Sequence, residues 1–291
     1  MATYRILHKT SYAYSYPVTG SHHTAILKPL SNETQTCKRF SLDISPEAGD
    51  LAERVDYFGN TSHLFAIQKP HDALVVEASS TVEVTSEALD LKKMDTPVGK
   101  IREALADIKR TDLIEAKEFL YETHNTKETD TVKEFGARFF SDETLIGEGI
   151  VALLQAFKDE FKFDPSASDI HTPVEQTLAS KCGVCQDFAH LMIATLRSQG
   201  LSACYASGYI LTMPPPGQPR LVGADASHAW VSVFIPENGW IDVDPTNNLI
   251  CADQHVAVAY GRDFSDVSML SGAVTGGGEH TVSVEVTMQP V

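Results

Sequence analysis

A repeat of two residues dominates the first part of the chain. Such a repeat places alternate side chains on one face of a β-strand, and here that face would carry Tyr4, Ile6, His8, Thr10, Tyr12, Tyr14 and Tyr16. Shorter strand-like runs follow near Phe40, near Phe65 and from Ala73, and turn-forming segments at 45–50 and 58–61 separate them. The pattern therefore predicts an N-terminal antiparallel β-sandwich over residues 1–90.

The repeat lengthens to that of α-helices in residues 91–160. One helical face near the end of this stretch would carry Ile146, Ile150, Leu153, Leu154 and Phe157. Two earlier segments, I-R-E-A-L-A-D-I-K and D-L-I-E-A-K-E-F-L-Y, also read as helices. We predict that residues 91–160 form the helical layer of the domain that follows the sandwich.

Residues 161–291 are predicted to form the core of that domain. A helix should run from about Cys185 to Gln199, with Gly200 as its C-terminal stop. Three strand-like runs follow it, A-C-Y-A-S-G-Y-I-L-T-M, A-S-H-A-W-V-S-V-F-I and W-I-D-V-D, and V-S-V-E-V-T-M closes the chain. A helix followed by antiparallel strands predicts an α+β fold, with the C-terminal strands in the core.

Composition argues against some classes of partner. The formal net charge is −16 at pH 7, which disfavours binding to nucleic-acid phosphates and to anionic membrane surfaces. The sequence lacks the run of about eighteen apolar residues that a transmembrane helix needs, and its start lacks the pattern of a signal peptide. We therefore expect a cytoplasmic protein with neither nucleic-acid nor membrane partners.

The segment K-C-G-V-C-Q-D-F-A-H-L is compatible with several chemistries. A redox pair, Cys182 with Cys185, would need a β-α-β context, whereas helices lead into this segment. A zinc site would need two further ligands at suitable spacing, and the sequence has no second C-x-x-C and no H-x-x-x-H. In a third interpretation Cys185 begins a helix, where free N–H groups and the helix dipole favour a thiolate and could hold an oxyanion. A fourth interpretation, in which both cysteines are buried structural thiols, also stays open.

A nucleophilic cysteine needs a base, and two histidines are candidates. His190 lies five positions after Cys185, about 140° around the helix, so it should face away from that cysteine. His228 lies on a predicted strand, on the face that also carries Trp230. We therefore prefer His228.

An acid that could orient His228 follows on the next strand. Asp242 and Asp244 lie on the same face of W-I-D-V-D-P-T-N. A tight turn at 238–239 would place His228 and Asp244 on opposite faces of the hairpin. A Cys–His–Asp arrangement therefore requires a longer, earlier turn within F-I-P-E-N-G, or a bulge.

Four segments in order, G-V-C-Q-D-F-A-H-L, Y-A-S-G-Y-I, G-A-D-A-S-H-A-W-V and W-I-D-V-D-P-T-N, resemble those of the bacterial transglutaminase-like proteins. This group is often described as cysteine proteases with a papain-like core. The segments Y-R-I-L-H-K-T-S-Y-A-Y, D-Y-F-G-N-T and G-R-D-F-S-D-V-S-M-L-S-G are similar to the family's flanking regions, so the resemblance covers nearly the whole chain. It implies an N-terminal β-domain followed by a helix that carries a cysteine and packs on an antiparallel sheet.

The resemblance also implies roles for individual residues. Cys185 is the expected nucleophile, His228 the expected base, and Asp244 the acid that orients the base. Asp242 is expected to be a neighbour only. Cys204 stands where many members carry arginine, which we interpret as a change in packing.

The implied chemistry is acyl transfer from an amide bond. If the acyl group is transferred to water, a peptide or other amide is hydrolysed, and the resemblance favours this outcome. If it is transferred to a primary amine, the reaction is transamidation. The expected partner is a peptide, a protein or another amide-containing substrate, with no cofactor and no metal ion. A non-catalytic binding module and a thiol–disulfide protein stay open as alternatives. The proline-rich loop Met213–Arg220 is either a rim of the cleft or a surface connection.

Overall fold

The structure, a computed structural model, describes residues 1–85, 94–212 and 227–291. Its N-terminal part is an antiparallel sheet in the order β2-β5-β1-β4-β3. These strands are β1 Ala2–Ala25, β2 Gln35–Ser45, β3 Asp50–Val55, β4 Thr61–Ile67 and β5 His71–Val84. Because β1 is long, its first half pairs with β5 and its second half with β4.

The sheet folds over along β1. The register of β1 against β5 shifts between Ala13 and Val18, and beyond this point the strand continues alongside β4. Phe65 and Ile67 of β4 and Leu74 and Val76 of β5 are thereby buried in one hydrophobic cluster. In place of two separate sheets, the N-terminal region therefore has one continuous antiparallel sheet with a buried apolar cluster of its own.

The C-terminal strands differ from the prediction. β13 Leu270–Gly276 and β14 His280–Pro290 both hydrogen-bond to β1, so they complete the N-terminal sheet and do not extend the core sheet. The assignment of the whole of residues 161–291 to the core is corrected accordingly. Alternation identified β14 as a strand, but alternation does not specify a strand's partner.

The helical layer lies between the two sheets in sequence. Its helices are α1 Val98–Ala106, α2 Ile114–Glu118, α3 Asp130–Ala137, α4 Ile146–Glu160 and α5 Val174–Ser180. The predicted apolar face of α4 is confirmed, because all five of its residues are buried. Two short parallel strands, β6 Lys162–Phe163 and β7 Cys182–Gly183, lead to α6 Cys185–Ser198.

The predicted end of α6 is also confirmed. Gly200 has a positive φ of 72°, a conformation that glycine adopts without strain. The N–H groups of Gly200 and Leu201 bond back to the carbonyl groups of Arg197 and Leu196, as in a Schellman motif. Within the described ranges, no helix is both long and apolar enough to cross a membrane.

The second sheet is antiparallel, in the order β11-β10-β9-β8-β12. Its strands are β8 Ala203–Ile210, β9 Ser227–Ile235, β10 Gly239–Asp244, β11 Leu249–Ile250 and β12 His255–Gly261. Val231 and Val233 on one face of β9 pack with Leu191 of α6 in the main hydrophobic cluster. The sequence predicted β8, β9 and β10, but it did not predict β12.

Buried polar side chains join the N-terminal sheet to the second sheet. Asn60 donates to the carbonyl of Tyr260 at 2.8 Å and accepts the N–H of the same residue at 2.9 Å. Gln35 does the same at Ala257, at 2.8 Å in each direction. The two amides therefore satisfy backbone groups on the outer edge of β12, which a neighbouring strand would otherwise have to pair.

Candidate active site

Cys185 is the first residue of α6. Val184 precedes it in an extended conformation, and the first hydrogen bond of the helix runs from the N–H of Phe188 to the carbonyl of Val184, at 3.0 Å. The N–H groups of Cys185 and Gln186 lie ahead of that bond, so the helix offers them no acceptor. The predicted placement of Cys185 at a helix N-terminus is therefore confirmed.

A buried carboxylate fixes the entry to this helix. Asp187 accepts the N–H of Val184 at 2.7 Å, and the hydroxyl of Ser168 donates to the same oxygen. Burial raises the pKa of Asp187, although its hydrogen bonds lower it in part. A Cβ atom on Gly183 would lie 2.8 Å from this carboxylate oxygen. Glycine at 183 thus allows the close approach that holds the cysteine loop in place.

The hairpin between β9 and β10 decides whether His228 can meet Asp244. Ile235 pairs with Gly239, so three residues, 236–238, form the turn. Glu237 within it has a positive φ of 67°. Extending this register places Asp244 opposite Trp230, diagonal to His228 and on the same face of the sheet. This turn is one residue longer than a tight Asn238-Gly239 turn and begins earlier, which is what a pairing of His228 with Asp244 requires.

His228 and Asp244 are joined by a short hydrogen bond. His228 Nε2 lies 2.7 Å from Asp244 Oδ2, and both side chains are buried. Oδ1 of Asp244 accepts the backbone N–H groups of Thr246 and Asn247, at 2.9 and 3.1 Å. Burial would raise the pKa of Asp244, but hydrogen bonds, first among them that from His228, hold it well below its ordinary value. The carboxylate is therefore ionised and fixed in position.

His228 also interacts with Cys185, and both line one cleft. Because Nε2 is bound to Asp244, Nδ1 is the ring nitrogen left for the thiol. Burial alone would lower the pKa of His228, but hydrogen bonds with Asp244 and Cys185 raise it to about 10. The site thus favours an imidazolium next to the cysteine.

Asp242 has a different environment from Asp244. Its Oδ2 accepts the indole N–H of Trp230 at 2.9 Å and the hydroxyl of Tyr260 at 2.8 Å. These contacts fix the buried Trp230 next to His228, and the centroids of the two stacked rings are 6.1 Å apart. The structure therefore places Asp242 as a neighbour of the site, as expected.

The other candidate side chains lie elsewhere. His190 is buried and accepts the N–H of Phe264 at 3.1 Å, and burial lowers its pKa to about 4. Burial raises the pKa of the thiols of Cys204 and Cys251. Cys182 is not among the described residues that line the cleft with Cys185.

A second histidine, which the sequence analysis missed, shares the carboxylate of Asp244. His255 Nε2 lies 3.1 Å from Asp244 Oδ2, and His255 is buried. Ligand atoms of His228, Asp244 and His255 lie within 4.8 Å of one another, so these three could surround a metal ion. Hydrogen bonds from both histidines to Asp244 Oδ2 account for the arrangement. The alternating run H-V-A-V-A-Y-G was the signal that could have revealed the strand carrying His255.

The N-terminal sheet supplies one wall of the cleft, which the sequence analysis also missed. Of the described residues, His8, Thr10 and Tyr12 of β1 and Val282 and Val284 of β14 face Cys185 across a space of about 220 Å³. His8 is itself tied to the second sheet by a hydrogen bond of 3.0 Å with the hydroxyl of Tyr209. The loop Met213–Arg220, considered above as a rim, lies outside the described residues.

A helix that begins with a cysteine and packs on an antiparallel sheet carrying a His–Asp pair defines the papain-like class of cysteine proteins. Residues 133–245 match the model of the transglutaminase-like superfamily, and residues 4–83 match that of the bacterial transglutaminase-like N-terminal region. The chain belongs to the bacterial transglutaminase-like family, whose chemistry is cysteine-based acyl transfer on amide bonds.

Relatives and a solved structure agree with this assignment. An uncharacterised protein of Mycobacterium tuberculosis is 35% identical, over 99% of this chain and 92% of that protein. A protein-glutamine gamma-glutamyltransferase of Pseudomonas aeruginosa is 34% identical over 101 residues, 33% of this chain and 15% of that enzyme. The structure of a candidate cysteine protease from Cytophaga hutchinsonii has a TM-score of 0.79 at 19% identity, over 100% of this chain and 91% of that one, and it supports the fold.

Proposed function

We propose that the protein hydrolyses amide bonds in peptides or proteins, with Cys185 as nucleophile, His228 as base and Asp244 as the group that orients the base. The observation that carries the proposal is the hydrogen-bonded line from Asp244 through His228 towards Cys185 in one cleft. A buried histidine whose pKa is raised by a carboxylate and a thiol together is typical of a nucleophile–base pair.

The first step is a proton transfer. Asp244 holds one proton of His228 on Nε2, so the proton of the Cys185 thiol passes to Nδ1 and leaves a thiolate beside an imidazolium, the charged form that the raised pKa of His228 favours. The thiolate sulfur then attacks the carbonyl carbon of the amide and forms a tetrahedral oxyanion. The free N–H of Cys185 at the start of α6 is in a position to donate to that oxyanion.

Collapse of the tetrahedral species breaks the carbon–nitrogen bond. The leaving amine takes the proton from Nδ1 of His228, and the acyl group remains on Cys185 as a thioester. Water then attacks the thioester carbonyl while Nδ1 removes its proton. The carboxylic acid leaves, and the thiol–imidazole pair is restored.

Transamidation is the second candidate. It differs only in the last step, where a primary amine attacks the thioester in place of water. The similarity of the core to the P. aeruginosa protein-glutamine gamma-glutamyltransferase favours it. Nothing in the Cys185–His228 pair distinguishes the two acceptors, so the products must be measured.

The test of the shared chemistry is alkylation of each cysteine by iodoacetamide, followed by mass spectrometry against pH. Cys185 should react fastest near neutral pH, and the advantage over Cys182 should disappear in His228→Ala. His171→Ala removes an exposed histidine and serves as the matched control. Equal reactivity of Cys182 and Cys185, or mutual protection by a disulfide, would instead support the thiol–disulfide alternative.

The acceptor is tested with casein as the substrate, in the presence and absence of a fluorescent primary amine. New peptide termini in wild type but not in Cys185→Ala are the expected result. Incorporation of the amine without new termini would favour transamidation. A protein with a reactive Cys185 that produces neither would contradict the assignment of peptide or protein amides as substrates.

A further inference from the structure

Part of the wall that the N-terminal sheet gives to the cleft is apolar, and it comes from strands distant in sequence from Cys185. We define the apolar wall as Tyr12 of β1, Leu270 of β13, and Val282 and Val284 of β14. Tyr12 and Val282 are cross-strand partners, and Val284 is opposite Thr10. Because partners in a sheet project from the same face, Tyr12, Val282 and Val284 form a continuous surface, and Leu270, whose partner on β1 is Ala25, lines the same space.

The apolar wall lies where a buried interface opens to solvent. Further along the same face of β14, Val286 and Met288 are fully buried. Val282 and Val284 are instead 48% and 49% exposed, and they border the space in front of Cys185. The exposed apolar surface therefore lies at the reacting cysteine, where a substrate would cover it.

Charge and size narrow what could occupy this space. None of the described residues that line the cleft is Asp, Glu, Lys or Arg. A charged side chain placed against the apolar wall would lose water without gaining a partner, which costs free energy. The volume of about 220 Å³ is below the roughly 300–1,000 Å³ of pockets for drug-sized ligands. It suits a single side chain of a polypeptide.

We propose that the apolar wall is a specificity subsite for an uncharged, apolar or aromatic side chain next to the reacting carbonyl, on the acyl side of the substrate. The acyl side is part of the proposal, since a side chain on that side stays beside Cys185 in the thioester while the amine departs, and the probes below carry their side chains on that side. This inference rests on the proposed function. It adds that the N-terminal sheet takes part in substrate selection in addition to supporting the core.

The test uses covalent probes that need no known substrate. N-acetyl amino-acid chloromethyl ketones with Phe, Leu, Lys and Asp side chains alkylate a reactive cysteine at a rate that depends on how the side chain is bound. For wild type we expect Phe and Leu probes to modify Cys185 at least tenfold faster than Lys and Asp probes. Iodoacetamide, which carries no side chain, reports the reactivity of Cys185 separately.

Two valines of similar exposure provide a charge test and its control. Val284→Glu places a carboxylate on the apolar wall and should shift the Lys-to-Phe rate ratio by at least tenfold in favour of Lys. Val274→Glu makes the same change on β13 at a residue that is 42% exposed and does not line the cleft. It should leave the ratio unchanged.

The outcomes separate the subsite from the chemistry. Equal rates for all four probes, with fast iodoacetamide alkylation of Cys185, would overturn the subsite and leave the proposed function intact. Slow iodoacetamide alkylation of wild type would overturn the proposed function itself. A Val284→Glu ratio that stays at the wild-type value would also overturn the subsite, because both valines at the surface should tolerate glutamate without loss of folding.

Discussion

Replacing Asp244 by asparagine should remove the reactivity of Cys185 by forcing His228 into the wrong tautomer. In the wild type the backbone N–H groups of Thr246 and Asn247 donate to Oδ1 of Asp244, while His228 Nε2 binds Oδ2. Backbone donors cannot reverse, so the amide oxygen of the variant must face them and its NH₂ group must face His228. A donor there makes Nε2 the acceptor and moves the ring proton to Nδ1. The thiol then has no base.

The structure gives the size of the effect. The pKa of His228 is raised to about 10, against about 6.5 for an ordinary histidine, which corresponds to a net preference for the imidazolium of roughly 5 kcal/mol after the opposing cost of burial. Cys185 contributes part of this, so the loss on removing the charge of Asp244 is smaller. We expect acyl transfer to slow by about 10³- to 10⁴-fold. An acid-to-amide change in a serine-hydrolase triad costs about 10⁴-fold.

The assay is the alkylation rate of Cys185 by iodoacetamide against pH. At pH 7, Cys185 in Asp244→Asn should react no faster than Cys182. Asp253→Asn, at an exposed position, should match wild type. Asp244→Ala imposes no tautomer and should retain more reactivity than Asp244→Asn. Wild-type reactivity in Asp244→Asn, or an alanine variant that is folded yet less reactive than the asparagine variant, would refute the tautomer argument.

Three further predictions concern stability. Asn60 is fully buried, and Asn60→Ala leaves the backbone N–H and carbonyl of Tyr260 without the amide that pairs them. Urea unfolding should therefore show a loss of about 3 kcal/mol in the free energy of unfolding, and a loss below about 1 kcal/mol would contradict this role for the amide. Gly208→Ala places a Cβ 2.1 Å from a backbone oxygen of β12 and 2.6 Å from the ring of Trp230. We therefore expect a destabilisation of at least about 3 kcal/mol and an altered near-ultraviolet circular dichroism signal from Trp230. An unchanged melting temperature would contradict this prediction. Burial lowers the pKa of His8 to about 4, so as pH decreases the unfolded chain binds a proton at His8 before the folded protein does. The free energy of unfolding should therefore fall by up to about 1.4 kcal/mol per pH unit between about pH 6.5 and pH 4. His8→Gln should show a shallower decrease, and equal slopes would contradict the lowered pKa of His8.

Local elements and the candidate site were largely readable from the sequence. The helical repeat in α4 predicted which side chains are buried, because periodicity reports which face of an element meets the core. The repeat of two in β1 did so only for its first half: Tyr4 to Thr10 are buried at alternate positions, whereas Tyr16 is 70% exposed. Cys185, His228 and Asp244 were selected from four short motifs, and the structure brings these three together. The catalytic roles of the three remain a prediction that the experiments above would test.

The register of the β9–β10 hairpin could not be read from sequence. A tight Asn238-Gly239 turn is the usual expectation, and it would have separated His228 from Asp244. The observed turn contains one residue more and places the two on one face. The difference of one residue reverses the face of every side chain on a strand, and sequence alone does not determine the length of the turn.

The sequence by itself determined α4, α6, the strands β8, β9 and β10 and the motif residues, since each depends on side chains that are near one another in the chain. Tertiary structure alone decided that β13 and β14 pair with β1, that His255 shares Asp244, and that the apolar wall faces Cys185. These features join segments that are distant in sequence. They depend on which surfaces bury each other's apolar area and satisfy each other's backbone groups, and no local pattern encodes that choice.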